Sequence, residues 1–174
     1  MSMRNWLQDH PRTLEWSYRF TVVCANLLYP LVRLMGFKRA NRMLSPMEGW
    51  VKEKMFGCKM CGQCVLSTTG MTCPMTCPKE LRNGACGGVR SNGHCEVIPE
   101  MKCVWVQAYD RALDLNVFGP EIINIKPPLN HRLVGSSSWI NMLTQDDKKA
   151  PKGWSELPHN PVIERKLRQP TDDT

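Results

Sequence analysis

The stretch of sequence that decides the fold begins Cys58-Lys-Met-Cys61-Gly-Gln-Cys64 and ends at Cys103. A thiol that serves only packing follows the apolar period of its helix or strand, whereas these cysteines recur every three to nine residues. This density indicates metal ligation. The candidate ligands are Cys58, Cys61, Cys64, Cys73, Cys77, Cys86, Cys95 and Cys103.

The spacing favours iron–sulfur clusters over zinc. Two successive C-x2-C steps place three thiolates on one loop, and a cubane cluster takes its fourth ligand from farther along, often from a cysteine followed by proline. Cys73 and Cys77 are both followed by proline. Structural zinc more commonly uses two separated C-x2-C pairs. We therefore expect two 4Fe-4S clusters, with zinc at one or both sites as the alternative.

The eight cysteines divide naturally between two centres. We assign Cys58, Cys61 and Cys64 to the first centre, together with either Cys73 or Cys77, and the remaining cysteines to the second. Two centres with four thiolates each would carry about −2 apiece, which lowers the formal charge of +7 to about +3. A net charge this small gives no reason to expect a nucleic-acid partner.

The expected cellular location depends on two signals that the sequence does not show, a membrane span and a secretory signal peptide. The longest uncharged apolar run, Phe20 to Val32, has 13 residues, whereas a membrane span needs ~20, so we expect no transmembrane segment. Acidic residues early in the chain argue against a secretory signal peptide. We expect a reducing cytoplasmic location, where cysteine clusters bind metals more often than they form disulfides. No catalytic residue is assigned, because His94 is the only histidine near the cysteines.

Thr13 is the predicted N-cap of the first helix, which runs toward Met35, and Gly36 is placed to end it. Pro30 should kink or split it. Its apolar stripe is wide enough to need cover on more than one side, which leaves three interpretations open: a partner subunit, burial within the chain, or a membrane surface. Cys24 lies within this stripe, and we interpret it as a small core residue.

Two further helices flank the cysteine region. Ser45-Pro46-Met47-Glu48 has the capping-box arrangement and predicts a helix start at Ser45, with Gly57 closing the helix. After Pro99, apolar residues at helical spacing from Met101 to Leu113 predict a third helix that carries Cys103. Beyond Gly119 we expect extended backbone, and we expect residues 145–174 to form an arm that becomes ordered only on a surface.

These observations predict a small, mainly-α, irregular, metal-stabilised domain. Ferredoxin-like cysteine loops would surround the clusters, flanked by amphipathic helices and an extended C-terminal arm. Three parts are expected: residues 1–56 as an N-terminal helical extension for docking, residues 57–118 as the cluster-binding domain with its C-terminal helix, and residues 119–174 as an arm partly ordered on a partner.

The distal half of the cysteine stretch carries a long motif. It runs Cys77-Pro-Lys-Glu-Leu-Arg-Asn-Gly-Ala-Cys86-Gly-Gly-Val-Arg-Ser-Asn-Gly-His-Cys95, and is followed by Cys103-Val-Trp-Val-Gln-Ala-Tyr109, Pro127-Pro-Leu-Asn and Ser137-Ser-Trp-Ile-Asn141. Together these segments resemble the cysteine-rich C-terminal domain or small-subunit family of methylenetetrahydrofolate reductase. The resemblance covers about half of the chain, from Gly57 to Leu143.

The resemblance implies a function in one-carbon metabolism. In that family the module is fused behind a flavin-bearing TIM-barrel reductase or encoded as its partner, and its cysteines hold iron–sulfur clusters or, in some descriptions, zinc. It implies that FMN or FAD sits on a separate catalytic subunit and that ferredoxin or another donor supplies electrons. This sequence shows no barrel, so we expect an accessory electron-transfer subunit. The alternative is a zinc-binding structural module without redox function.

Overall fold

The computed structural model describes residues 10–124 and 126–149. Within them lie four α-helices: α1 (Pro11–Met35), α2 (Phe37–Phe56), α3 (Val104–Leu113) and α4 (Ser138–Leu143). Short 3-10 turns occupy Leu66–Thr68, Pro74–Thr76, Gly119–Ile123, His131–Leu133 and Asp146–Lys148. The described residues form no β-strand, only a single antiparallel bridge between His94 and Lys102. The predicted mainly-α class is confirmed for this part of the chain.

Helix α1 begins three residues earlier than predicted, with His10 and not Thr13 as its N-cap, and it ends where predicted. Pro11 occupies its first turn, where a missing backbone N–H costs nothing. At its end, Gly36 has φ +90°, a conformation that favours glycine, and its N–H donates to the Val32 carbonyl at 3.0 Å. The helix continues through Pro30 instead of splitting there. No helix in the described residues has the length and apolarity to cross a membrane.

The predicted start of the second helix at Ser45 is wrong. Helix α2 starts at Phe37, directly after Gly36, and Pro46 lies inside it. The Ser45 hydroxyl donates to the Asn41 side chain at 2.8 Å and so caps nothing, while Glu48 binds residues far along the chain. Burial of Ala40 in the first turns of α2 accompanies the earlier start. The predicted end at Gly57 is confirmed, with φ +65°.

The hydrophobic core forms where the start of α1 packs against residues from the middle of the chain. Leu14, Leu66, Met71 and Leu115 form its buried centre. Tyr18 packs edge-on against Phe118 and tilted against Trp139, with ring centroids 5.7 and 5.5 Å apart. The buried Glu15 carboxylate accepts the backbone N–H groups of Val117 and Phe118 at 2.9 and 2.7 Å. These contacts anchor only the first third of α1.

The described part of the predicted arm folds back onto its own chain. Residues 126–149 contain 3-10 turns and helix α4, which packs on both α1 and α2. At the start of α4 the Ser137 hydroxyl accepts from the N–H of Ile140, as a helix cap does. The division into 1–56, 57–118 and 119–174 stays a prediction, and residues 150–174 lie outside the described range.

A buried ion pair joins α2 to α4. Lys52 donates to the Glu48 carboxylate at 2.5 Å and to the Ser138 hydroxyl at 2.7 Å, and its ammonium lies 4.8 Å from the centre of the Trp139 ring. Glu48 also accepts hydrogen bonds from the hydroxyls of Ser137 and Ser138. Both charges of the buried pair therefore have an opposite charge and hydrogen-bond partners, which offset the cost of removing them from water.

We expect Glu48→Ala to destabilise the fold by about 3–5 kcal/mol, because it leaves Lys52 buried without its carboxylate. Asp110→Ala is the matched control. It removes an exposed pair with Lys102 of 2.7 Å and should cost less than about 1 kcal/mol. Urea unfolding of the two variants measures both values, and equal losses would contradict this description of the Glu48 network.

Candidate metal centres

The eight candidate cysteines line two separate cavities, four around each. The first cavity, of about 20 Å³, is lined by Cys58, Cys61, Cys64 and Cys73. The second, of about 10 Å³, is lined by Cys77, Cys86, Cys95 and Cys103. We call these sets the first and second cysteine groups. Cys24 belongs to neither and lies between α1 and α2. Of the two cysteines considered as fourth member of the first set, the chain brings Cys73 to that cavity.

Glycine conformations shape the loop of the first group. Gly57 ends α2 in the left-handed conformation and turns the chain into Cys58. Gly62, between Cys61 and Cys64, has φ +75°. A Cβ atom on Gly62 would lie 2.0 Å from the Leu133 carbonyl oxygen, so a side chain there cannot be accommodated without movement of the backbone.

Residues distant in sequence hold the same loop by hydrogen bonds to its backbone. The Asn141 side chain donates to the Gly62 carbonyl at 2.7 Å, and the Gly135 N–H donates to the Met60 carbonyl at 2.8 Å. Gln63 is fully buried, and its side chain accepts from the N–H of Asn130 at 2.7 Å. The C-terminal half of the described chain therefore fixes the position of Cys61 and Cys64.

The second group is built on a turn that leads into α3. The Cys95 N–H donates to the Met101 carbonyl and the Cys103 N–H donates to the Gly93 carbonyl, both at 2.9 Å. This pairing brings Cys95 and Cys103 together, and Cys103 stands immediately before the first residue of α3. The Cys86 thiol lies 3.6 Å from the Glu96 carboxylate, so an acidic side chain borders this group.

The thiols of the first group differ in acidity. A hydrogen bond from the Cys73 thiol, the Met60 N–H at 3.3 Å and the charge of Lys52 lower the pKa of Cys58 to about 6, although burial opposes this shift. The same bond to Cys58, together with burial, raises the pKa of Cys73. Burial raises the pKa of Cys61. One member of this group is thus a thiolate at neutral pH, the form that binds metals.

Two buried cations, Lys52 and Arg82, lie beside the first group, and neither is among the residues that the sequence predicts for the site. Burial disfavours the charged form of Lys52, but Cys64 and Glu48 favour it, and the net effect raises its pKa. Arg82 donates to the carbonyls of Gln63 and Pro127 at 2.7 and 2.8 Å, and burial lowers its pKa. No local pattern predicts the burial of these cations, because it arises from contacts with distant residues.

Arg82 makes no ion pair within 4.0 Å among the described residues, but the Asp147 carboxylate acts on it from farther away, beside the carbonyl groups and the Cys61 and Cys64 thiols. Its Nε is buried and makes no hydrogen bond. A buried guanidinium without an anion is costly. A metal centre with thiolate ligands carries negative charge and would add to the compensation of this guanidinium, so the chemistry of the donor set and the nearby cation suit such a centre.

All nine cysteines are free thiols, so the structure contains no disulfide scaffold. Among residues 10–124 and 126–149, no three His, Cys, Asp or Glu side chains stand close enough together to hold a single metal ion. The assignment of the two groups as candidate sites therefore depends on the cavities that the cysteines share, on their thiol chemistry and on the charges around them.

Gly62→Ala should destabilise the protein by at least about 1–2 kcal/mol, the cost of a left-handed backbone for a residue with a Cβ atom, and should add a clash with Leu133. Gly87→Ala is the control, because a Cβ atom at Gly87 meets nothing within 4 Å and its φ does not require glycine. Thermal unfolding compares the two variants, and an unchanged melting temperature for Gly62→Ala would refute the predicted close approach.

Alkylation of the metal-free, reduced chain should reveal the low pKa of Cys58. Labelling of Cys58 by iodoacetamide, measured by peptide mass spectrometry, should increase as the pH is raised, with its midpoint at a pH of about 6. Cys73→Ala should move that midpoint upward, since it removes the largest cause of the shift, whereas Cys95→Ala in the second group should not. A midpoint near the free-cysteine value of about 8.5 would contradict the described hydrogen bond.

Comparison with known families agrees with the sequence motif. A family model described as Methylene-tetrahydrofolate reductase C terminal matches residues 37–132, which is more than half of the chain. No curated protein and no solved structure gives a significant match. The matched range includes α2, both cysteine groups and α3, and excludes α1 and α4. The chain therefore belongs to the family of the methylenetetrahydrofolate reductase C-terminal domain.

Proposed function

We propose that this chain is an accessory iron–sulfur subunit that relays electrons to or from the flavin of a separate methylenetetrahydrofolate reductase catalytic subunit. The observation that carries the proposal is the division of the eight cysteines between two cavities, four to each. Four thiolates are the full ligand set of one four-iron cluster. Family membership supports the connection with the reductase.

The residues of the chain would hold each cluster and adjust its charge balance. When bound, a 4Fe-4S cluster accepts and releases single electrons, which a flavin can combine into a two-electron transfer to the folate. Cys58, Cys61, Cys64 and Cys73 would ligate one cluster, and Arg82 would offset its negative charge. The second cluster would take its ligands from Cys77, Cys86, Cys95 and Cys103.

The remaining parts of the complex follow from what the family resemblance implies. FMN or FAD would be bound by the catalytic subunit, and a one-electron donor such as ferredoxin would supply the electrons. Reduced thiols and their metal chemistry favour a cytoplasmic location. No part of this scheme requires a catalytic residue on the present chain, whose task is to bind the clusters, exclude water from them and meet the partner.

Zinc-binding without redox function is the competing proposal. Four thiolates also complete the tetrahedral shell of a structural zinc ion, and closed sites of this kind stabilise small domains. The four-cysteine cavities favour this alternative as well. The chain would then stabilise the reductase without carrying electrons, and metal content separates the two proposals.

Protein purified without oxygen should be brown and should contain about eight irons per chain, four for each cluster. Cys61→Ser should remove about half of the iron and abolish reduction of the partner flavin by the donor, while reduction by an artificial dye persists. Cys24→Ser is the matched control and should keep the full iron content, because Cys24 lies outside both groups. Colourless protein that contains stoichiometric zinc and no iron would refute the electron-transfer proposal.

A further inference from the structure

The second part of α1 is apolar but uncovered. From Arg19 to Gly36 no residue of the described structure is buried, although residues 20–32 contain no charge. Leu27 and Leu34 are 72% and 86% exposed, and Phe20 is exposed as well. A helix that is apolar around most of its circumference normally lies inside a protein assembly or a membrane. Of the three interpretations of this helix, burial within the chain holds for its first third but not for this second part, as far as the described residues show.

An apolar groove runs between this uncovered part of α1 and the neighbouring α2. Its volume is about 370 Å³. Leu28 and Val32 form one wall, and Leu44, Met47 and Val51 form the other. Met47 is itself 60% exposed, so the groove is open to a partner. Apolar side chains of a partner would find here a preformed cleft of the kind that helices bind.

The floor of this groove is also the wall of the first cysteine cavity. Glu48, Lys52, Phe56 and Leu66 line both spaces. One layer of side chains therefore separates the groove from the first cysteine group. None of the residues around the second group lines the groove. A partner bound in the groove would lie next to the first group specifically.

The exposed charges of α1 and α2 are almost all positive. The cations are Arg12, Arg19, Arg33, Lys38, Arg39, Arg42 and Lys54, and the single exposed anion is Glu53. A second copy of this chain would bring the same cations to the interface and repel. An anionic bilayer would match the charge, but it offers nothing that could exchange electrons with a centre one side-chain layer away. A protein surface with carboxylates around an apolar segment satisfies both the charge and the position.

We propose that the groove between α1 and α2 is the docking site of the flavoprotein partner, which inserts an apolar segment flanked by carboxylates beside the first cysteine group. This inference rests on the proposed function for the identity of the partner. It adds the surface, its chemistry and the nearer of the two centres. Because α1 lies outside the matched family range, the site combines an element inside that range, α2, with an element outside it.

The test uses the full chain, co-expressed without oxygen with a flavin-bearing methylenetetrahydrofolate reductase catalytic chain. Size-exclusion chromatography with light scattering measures the complex, and a titration measures its Kd. Leu28→Glu combined with Met47→Glu should weaken association at least tenfold, with circular dichroism and metal content unchanged. Ile123→Glu, at a residue that is 81% exposed outside the groove, should leave association intact.

A second variant guards against misfolding of the first. Arg39→Glu with Arg42→Glu changes only exposed side chains and should also weaken the complex, and more strongly at low salt than at high salt. Undiminished association of both variants would overturn the inference. The inference would also be overturned if the groove variant kept its complex with the reductase but lost binding to phosphatidylglycerol vesicles. Loss of homodimerisation with the reductase complex intact would overturn it in the same way.

Metal analysis of the same samples separates this inference from the proposed function. An iron-free chain whose complex still depends on the groove would sustain the docking site and refute electron transfer. An iron-loaded chain whose complex is indifferent to the groove variants would refute the docking site and leave electron transfer standing.

Discussion

The loop from Cys58 to Cys64 depends on hydrogen bonds from residues far away in the sequence. Gln63 is the centre of this dependence, since its buried side chain binds the backbone of both Asn130 and Asp147. The Arg82 guanidinium donates to the Gln63 carbonyl from another direction. Because a loop without a helical or strand ladder must find partners for its polar groups elsewhere, the position of the first cysteine group is a tertiary property.

Local signals predicted much of the fold. Glycines at 36 and 57 ended their helices as expected, because a positive φ at a helix end is a strong and local preference. The helix start predicted from the capping-box pattern at Ser45 was wrong for a local reason too. Gly36 ends α1, and α2 starts directly after it, so Ser45 lies inside α2. The family followed from the motif beginning at Cys77, and the matched family model confirms it.

What the sequence could not provide are contacts across long separations. The burial of Lys52 and Arg82 and the return of residues 126–149 onto the cysteine loop all involve partners many residues apart, for which a single sequence contains no periodic signal. These contacts make the two cysteine groups unequal. The cations beside the first group are buried, whereas the Lys79–Glu96 ion pair beside the second group is exposed to solvent. The apolar groove also lies beside the first group alone.

We propose that the eight cysteines form two independent four-thiolate centres, each holding a four-iron cluster, and the account of the function depends on this. Native mass spectrometry of the anaerobically purified chain tests it most directly, because the mass in excess of the 19.9 kDa polypeptide identifies the bound atoms. We predict an excess that corresponds to two clusters, each of about four irons and four sulfides. An excess equal to zinc ions alone, or to one cluster shared by all eight cysteines, would contradict the claim.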